Sequence, residues 1–348
     1  MAVSDKSENA KRPRLSPAMA DLRRAVREWA KQRGVSEGSL YLVALSGGSD
    51  SLALAWALAL EAPGLGIRGG AVIVDHQLQP HSADVARASA DQASDVGLAP
   101  VMIKTVTVGV NGGPEEAARQ ARYQAFSESV RETGASGILL GHTRDDQAET
   151  MLLGLTRGSG PSGLKGMAPT NGSLHRPLLG LTRESLQTAL VDAGLTWWDD
   201  PHNDDESFTR VVVRKSVLPY LEEKLGPGVA ASLARTAELF RSDSETLDAL
   251  AETFFDSAVT VHDLTHQSLE VASLEQQQPA IASRALRRLV MAVGGGAPGY
   301  AQMQQALGLL QRWSGQSALD LSGASLERKD GHIHAHQSQA VQRKGART

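Results

Sequence analysis

Residues 17–33 carry Leu22, Val26 and Trp29 on one stripe of an otherwise basic stretch, the spacing of a helix with a single buried face. The chain then alternates. An apolar run at 39–45, bounded by glycine, predicts a strand. Residues 50–60 alternate Ala with Leu or Trp and so imitate a strand period. Their alanine content and lack of β-branched residues predict instead a helix buried on all sides. Further strands are predicted at 71–74, 101–106 and 138–140, with helices at 82–96, from Pro114 onward, and at 145–155. Strands separated by helices mean βαβ units and a parallel sheet with helices on both faces, an α/β fold. Such sheets bind ligands in the loops at the carboxyl ends of their strands. Gly226-Pro227-Gly228 reads as a boundary. Beyond it, 229–255 and 273–313 are mainly helical, with a short strand near 269–271 and strand-like alternation over 317–336. The expected organisation is a basic N-terminal extension and helix (1–34), an α/β domain (35–225) and a mostly helical domain with a small β element (229–348).

Composition narrows the chemistry. There is no cysteine among the 348 residues, which excludes disulfides, thiolate nucleophiles and Cys-ligated metals or clusters. The longest apolar run, 52–60, is nine residues against the roughly 20 of a membrane span. The first residues lack an apolar secretory core, so the cytoplasm is the expected location. The net charge of −4 hides an asymmetry: residues 1–34 hold nine Lys/Arg against four Asp/Glu, and 324–348 hold five against two. The basic ends are candidates for phosphate contact, although solvation alone explains many such tails.

The sharpest motif lies between the first strand and the first helix: Ser46-Gly47-Gly48-Ser49-Asp50-Ser51. Two glycines allow a tight turn that brings N–H groups to an anion, three hydroxyls add donors, and the helix N-terminus adds partial positive charge. Asp50 would repel a bare phosphate but suits the Mg²⁺ that accompanies a nucleotide. The competing reading is a Gly-Gly turn with Asp50 or Ser49 as a helix cap. No Walker-type G-x-x-x-x-G-K-[ST] is present.

This loop resembles that of the N-type ATP pyrophosphatases, which implies ATP binding by Ser46, Gly47, Gly48, Ser49, Asp50 and Ser51, and adenylyl transfer. Members that thiolate tRNA use cysteines that this chain lacks. The motifs that follow are Gly141-His142-Thr143-Arg144-Asp145-Asp146-Gln147-Ala148-Glu149-Thr150, Leu155-Thr156-Arg157-Gly158, Gly163-Leu164-Lys165-Gly166-Met167, Arg176-Pro177-Leu178-Leu179, Asp199-Asp200-Pro201-His202-Asn203-Asp204, and Phe208-Thr209-Arg210 with Arg214. In this order, over residues 40–220, they resemble the tRNA(Ile)-lysidine synthetases. That resemblance implies an ATP pyrophosphatase catalytic domain at 35–225 and a C-terminal domain that contacts tRNA. It also implies adenylation of the wobble cytidine of tRNA(Ile) with anticodon CAU, attack by the ε-amine of L-lysine, and ATP and Mg²⁺ as requirements. A homodimer is left open.

Within this reading Asp50, Asp145, Asp146 and Arg119 are the catalytic candidates, with Asp50 a Mg²⁺ ligand. Arg122, His142, Glu149, Arg210 and Arg214 are candidates for contact with substrate or tRNA. Each has a plainer reading. Acidic residues in a first turn favour the helix dipole. Arg119 could pair with Glu115 or Glu116, and Arg210 with Arg214 could be a solvated face. The family's Gly-Leu-Arg after Asp75-His76 is Gln77-Leu78-Gln79 here, His202 stands where Ser is usual, and Val211 where Asn is common. Three other signals stand apart: Arg284, Arg287 and Arg288 as a basic helix patch, Trp197 and Trp198 as stacking groups, and His332, His334 and His336 on one strand face. A solvated strand accounts for the last, because a metal also needs convergent geometry.

Overall fold

Eight of the first nine predicted elements of the α/β region recur within a residue or two of their expected bounds; the second strand starts three residues earlier. The computed structural model describes residues 15–77, 81–109, 114–158 and 160–338, so Leu78, Gln79, the first 14 residues of the basic N-terminal segment and residues 339–348 of the basic C-terminal tail lie outside it. The chain runs α1 (Pro17–Arg33), β1 (Leu40–Ala44), α2 (Ser49–Glu61), β2 (Arg68–Asp75), α3 (Ser82–Asp95), β3 (Val101–Thr105), α4 (Pro114–Thr133), β4 (Gly137–Leu139) and α5 (Arg144–Thr156). Then come the one-turn α6 (Pro161–Leu164), β5 (Thr170–Asn171), β6 (Leu174–His175), α7 (Arg183–Asp192), α8 (Thr209–Val212) and α9 (Leu218–Leu225).

The sheet order is β3-β2-β1-β4-β6-β5, parallel throughout except for the β5–β6 pair. Side-chain alternation on β1 shows why two layers form. Tyr41 and Val43 join the core beneath α1, α2, α3 and α7, whereas Leu40 and Leu42 join Phe126 of α4 and Ile138 on the other face. Helix α2 is the one buried nearly all round: Leu52, Ala53, Leu54, Ala55, Ala57 and Leu58 are each 0% exposed. The helical reading of its Ala-Leu alternation was right for that reason.

In the sequence, helix α1 reads as part of a basic extension. It packs against α2 and α7, with Leu22 and Val26 fully buried. Part of its charge is spent internally, because Arg23 and Arg27 both pair with the buried carboxylate of Glu61.

The chain divides into two compact units, one of 1–158 with 164–237, the other of 159–163 with 238–348. Helix α10 (Val229–Ala258) starts in the first and continues in the second. The second unit adds β7 (Val259–Asp263), β8 (His266–Glu270), α11 (Val271–Glu275), α12 (Pro279–Ala292), α13 (Tyr300–Gln311), β9 (Leu319–Leu321), β10 (Ala324–Lys329) and β11 (His332–Gln337). Its β element is larger than expected: an antiparallel sheet ordered β7-β8-β11-β10-β9. One face, with Leu269, Ile333, Ala335 and Leu326, packs on α12 and α13. The arginine patch of α12 is not a free basic surface. Arg284 donates to Asp248 at 2.7 Å, Arg288 to Glu252 at 2.9 Å, and Arg287 to the Pro298 carbonyl. No helix of the described residues is long and apolar enough to cross a membrane.

Candidate active site

The loop between β1 and α2 closes on itself. The Ser46 amide donates to Ser51 Oγ at 3.1 Å, and Ser51 Oγ donates to the Gly48 carbonyl at 3.0 Å. Ser51 therefore shapes the turn, while Ser46 stays exposed. Gly48 is the N-cap of α2 and offers no side-chain acceptor, so the capping roles considered for Asp50 and Ser49 are not what these residues do. The first N–H groups of a largely buried helix thus face the loop without a side-chain cap. Gly47 sits at φ 87°, where a Cβ would lie 2.8 Å from Ser89 Oγ, so only glycine suits the turn. Its carbonyl accepts from the Trp198 amide at 3.1 Å, which ties the 195–200 segment to the loop. Trp197 packs on the core and bonds Asp199 through Nε1.

The loop after β4 meets this turn backbone to backbone. A Cβ on Gly141 would lie 2.9 Å from Asp50 C, Asp50 O and Ser51 N. That close approach brings His142 and the first turn of α5 beside the β1–α2 loop. Thr143 and Asp146 form a reciprocal cap on α5, with the Thr143 amide donating to Asp146 Oδ2 at 2.8 Å. Asp145 accepts from the Arg183 amide at 2.7 Å and so fastens the start of α7 to α5. Gln147 holds the 163–167 loop through both the amide and the carbonyl of Met167.

Arg183 is the residue that sequence reasoning missed, and it sits at the centre. Its guanidinium donates to Asp50 Oδ2 at 2.9 Å and lies 3.5 Å from Asp146 Oδ1 and 3.9 Å from Glu149 Oε1. A signal existed: an arginine at the first position of a helix opposes the dipole and calls for a compensating charge. Glu149 is 0% exposed, and its two oxygens take Arg210 Nε and Arg214 Nε, each at 2.7 Å. Arg210 and Arg214 do share a helical face, as their spacing predicts, across a π-helical turn at Val213–Val217. Glu149 is accordingly a buried anchor for two arginines, not an exposed substrate carboxylate. Three guanidiniums thus interlock with Asp50, Asp146 and Glu149.

Electrostatics follow this network. Burial raises Asp50, and Arg183 only partly offsets it while the Asp146 charge adds to it; its carboxyl stays above the usual range. Burial also acts upward on Asp146, but Arg183, Arg210 and the Thr143 amide outweigh it and hold it low. His142 accepts from Arg176 Nε through Nδ1, and burial, helped by Arg176, Arg210 and Arg119, pushes it down to about 4. Arg119 is exposed with its guanidinium 4.8 Å above the Tyr123 ring. Arg122 points elsewhere on α4, to His76 Nε2 at 3.3 Å.

His175, fully buried beneath Trp29 and Tyr41, is also driven to about 4 by burial. Both imidazoles are neutral when folded yet protonate near 6.5 when unfolded, so the unfolded chain binds more protons between pH 6.5 and 4. Stability is therefore intact above pH 6.5 and falls as pH drops through that window, by about 1.4 kcal/mol per pH unit for each group. Urea midpoints of the first unit should decline from pH 7 to 4.5. His175→Phe, which keeps an aromatic ring against Trp29 and Tyr41, should flatten the slope.

Comparison with known proteins decides the family. A model described as a PP-loop domain matches residues 19–221, and one described as the TilS substrate binding domain matches 269–334. The chain is 49% identical to the tRNA(Ile)-lysidine synthase of Leifsonia xyli subsp. xyli over 307 residues, covering 88% of this chain and 92% of that protein. The chain belongs to the tRNA(Ile)-lysidine synthase family. The Streptomyces coelicolor synthase is 46% identical over 303 residues, 86% of this chain and 85% of that one. A solved structure, the U34-tRNA thiolase NcsA of Methanococcus maripaludis with its [4Fe-4S] cluster, superposes with a TM-score of 0.55 at 17% identity. It covers 65% of this chain and 80% of its own, and shares the fold. The PP-loop domain matched at 19–221 implies ATP use, and the loop at 46–51 lies within it.

Proposed function

We propose that this chain joins L-lysine to the wobble cytidine of tRNA(Ile) with a CAU anticodon, in two steps within the first unit. In the first, cytidine O2 attacks the α-phosphorus of ATP, a P–O bond forms, and pyrophosphate leaves with the electron pair of the broken bond. In the second, the deprotonated lysine ε-amine attacks cytidine C2, and AMP departs with O2. The observation that carries this reading is the backbone contact of Gly141 with Asp50 and Ser51, which puts a phosphate-type loop beside the α5 carboxylates and their arginines.

The uncapped amides at the start of α2 and the exposed Ser46 hydroxyl bind the triphosphate. A divalent cation fits the donor set. Asp50 and Ser49 are hard oxygen donors, and the burial and Asp146 charge that raise Asp50 are relieved by added positive charge. Asp50 and Ser49 would hold Mg²⁺, which when bound neutralises charge on the leaving pyrophosphate. Arg119, beside His142, and the outward N–H groups of Arg210 and Arg214 meet phosphate or the developing charge. Glu149 positions the latter two.

Asp145 takes the lysine ammonium. It is half-buried, and one of its oxygens makes no bond among the described residues. Asp145→Asn retains an acceptor for the Arg183 amide, so the fold should hold. The KM for lysine is expected to rise by about tenfold or more, with the KM for ATP unchanged. An equal rise in both constants would assign Asp145 to the scaffold.

All the residues invoked lie in one chain, so a monomer or a homodimer serves, and the substrates place the reaction in the cytoplasm. The deciding assay supplies ATP, Mg²⁺, labelled lysine and the tRNA transcript. Label entering RNA supports the reading. AMP formation that needs no RNA would favour a small-molecule amidoligase, and ATP binding without turnover a non-catalytic module.

A further inference from the structure

Half of the chain's ten histidines gather on one face of the C-terminal sheet. Because Leu269, Ile333 and Ala335 face the helices and are buried, the alternate residues of β8 and β11 face the other way. Register then places His336 opposite His266 and His334 opposite Ser268. A register shift between Val261 and Asp263 re-aims β7, and His262 Nε2 reaches Ser268 Oγ at 2.9 Å. The outcome is convergent. His266 Nε2 and His334 Nδ1 are 3.0 Å apart, and the rings of His262 and His266 stack at 4.1 Å. One ligand nitrogen from each of His262, His266 and His334 lies within 4.8 Å of the other two.

We propose that His262, His266 and His334 bind a borderline divalent transition metal such as Zn²⁺. A strand of solvated histidines explains residues 332, 334 and 336, but not the arrival of two more from a hairpin whose register shift lies beside a His262 that bonds Ser268. An all-imidazole set selects Zn²⁺, Ni²⁺ or Cu²⁺ over Mg²⁺ and Ca²⁺. Metal–nitrogen bonds near 2.0 Å put tetrahedral ligand atoms about 3.3 Å apart, close to the His266–His334 separation, and the exposed His262 ring can close the remaining gap. Burial and the neighbouring imidazoles hold His266 and His334 below the usual histidine range, so both present the free base that a metal needs. His336, 3.5 Å from Glu327 and stacked on His266, supports the set from the side. Three nitrogens leave a fourth position for water, and the ion would tie the edge strand β7 to β8 and β11.

The test uses the full-length, metal-stripped chain titrated with ZnCl₂ alone at pH 7.5, by calorimetry, with Co²⁺ absorption reporting nitrogen ligation. One equivalent should bind with a Kd of about 10 µM or tighter, weakening at least about tenfold by pH 5.5 as the imidazoles protonate. His266→Gln and His334→Gln should each weaken binding by about 30-fold or more, and Asp50→Asn should not change it. Should either variant melt early without metal, His262→Gln on the exposed ring supplies the same comparison, with about a tenfold loss. A wild-type Kd weaker than about 100 µM, or affinity indifferent to these substitutions, overturns the proposal.

Discussion

Replacing Asp50 with Asn is expected to slow pyrophosphate release by about a thousandfold, the scale of removing one preorganised charge from a developing transition state. The substitution keeps the side-chain shape and an oxygen for Arg183, so the loss isolates the charge. That charge is held under tension: burial and the nearby Asp146 both favour the protonated form, and only Arg183 and the Ser49 hydroxyl oppose them. A bound cation would relieve both effects, which suits Asp50 to hold one against the triphosphate. Affinity for tRNA, read by filter binding, should stay near wild type. Arg183 loses one partner but retains Asp146 and Glu149. A rate within tenfold of wild type would remove Asp50 from the chemistry.

The second large effect is on stability. Glu149→Ala should lower the unfolding free energy of the first unit by about 3–5 kcal/mol, because it leaves partly buried guanidiniums without their counter-charge. Glu149 is fully buried and accepts the short bonds from Arg210 and Arg214, so water cannot easily take its place. Glu149→Gln, isosteric but neutral, should fall between wild type and Ala. Urea denaturation followed by tryptophan fluorescence measures both. A change under about 1 kcal/mol would show that solvent satisfies Arg210 and Arg214 equally well. The folded fraction of either variant should also lose activity, since the arginines would no longer be aimed.

The elements of the parallel sheet were legible because their cores are written in local periodicity. Helix α2 shows how composition can arbitrate where period misleads. The C-terminal sheet was under-read, since β7 is exposed along most of its length and carries little apolar pattern. The site divides the same way. The glycines and serines of 46–51, the α5 carboxylates and the Arg210–Arg214 spacing are contiguous signals. Arg183, the anchoring role of Glu149 and the pairing of Arg284 and Arg288 with acids of α10 are not, because each depends on residues far apart in the chain.

By itself the sequence determined the α/β class, the Gly-Ser turn to which phosphate binding is proposed, and the lack of any cysteine, all consequences of residue type and short-range spacing. The tertiary structure alone decided which charges neutralise one another: three arginines with Asp50, Asp146 and Glu149, and five histidines on one sheet face. Coulomb and hydrogen-bond energies depend on distances of a few ångströms between groups that only packing and strand register bring together.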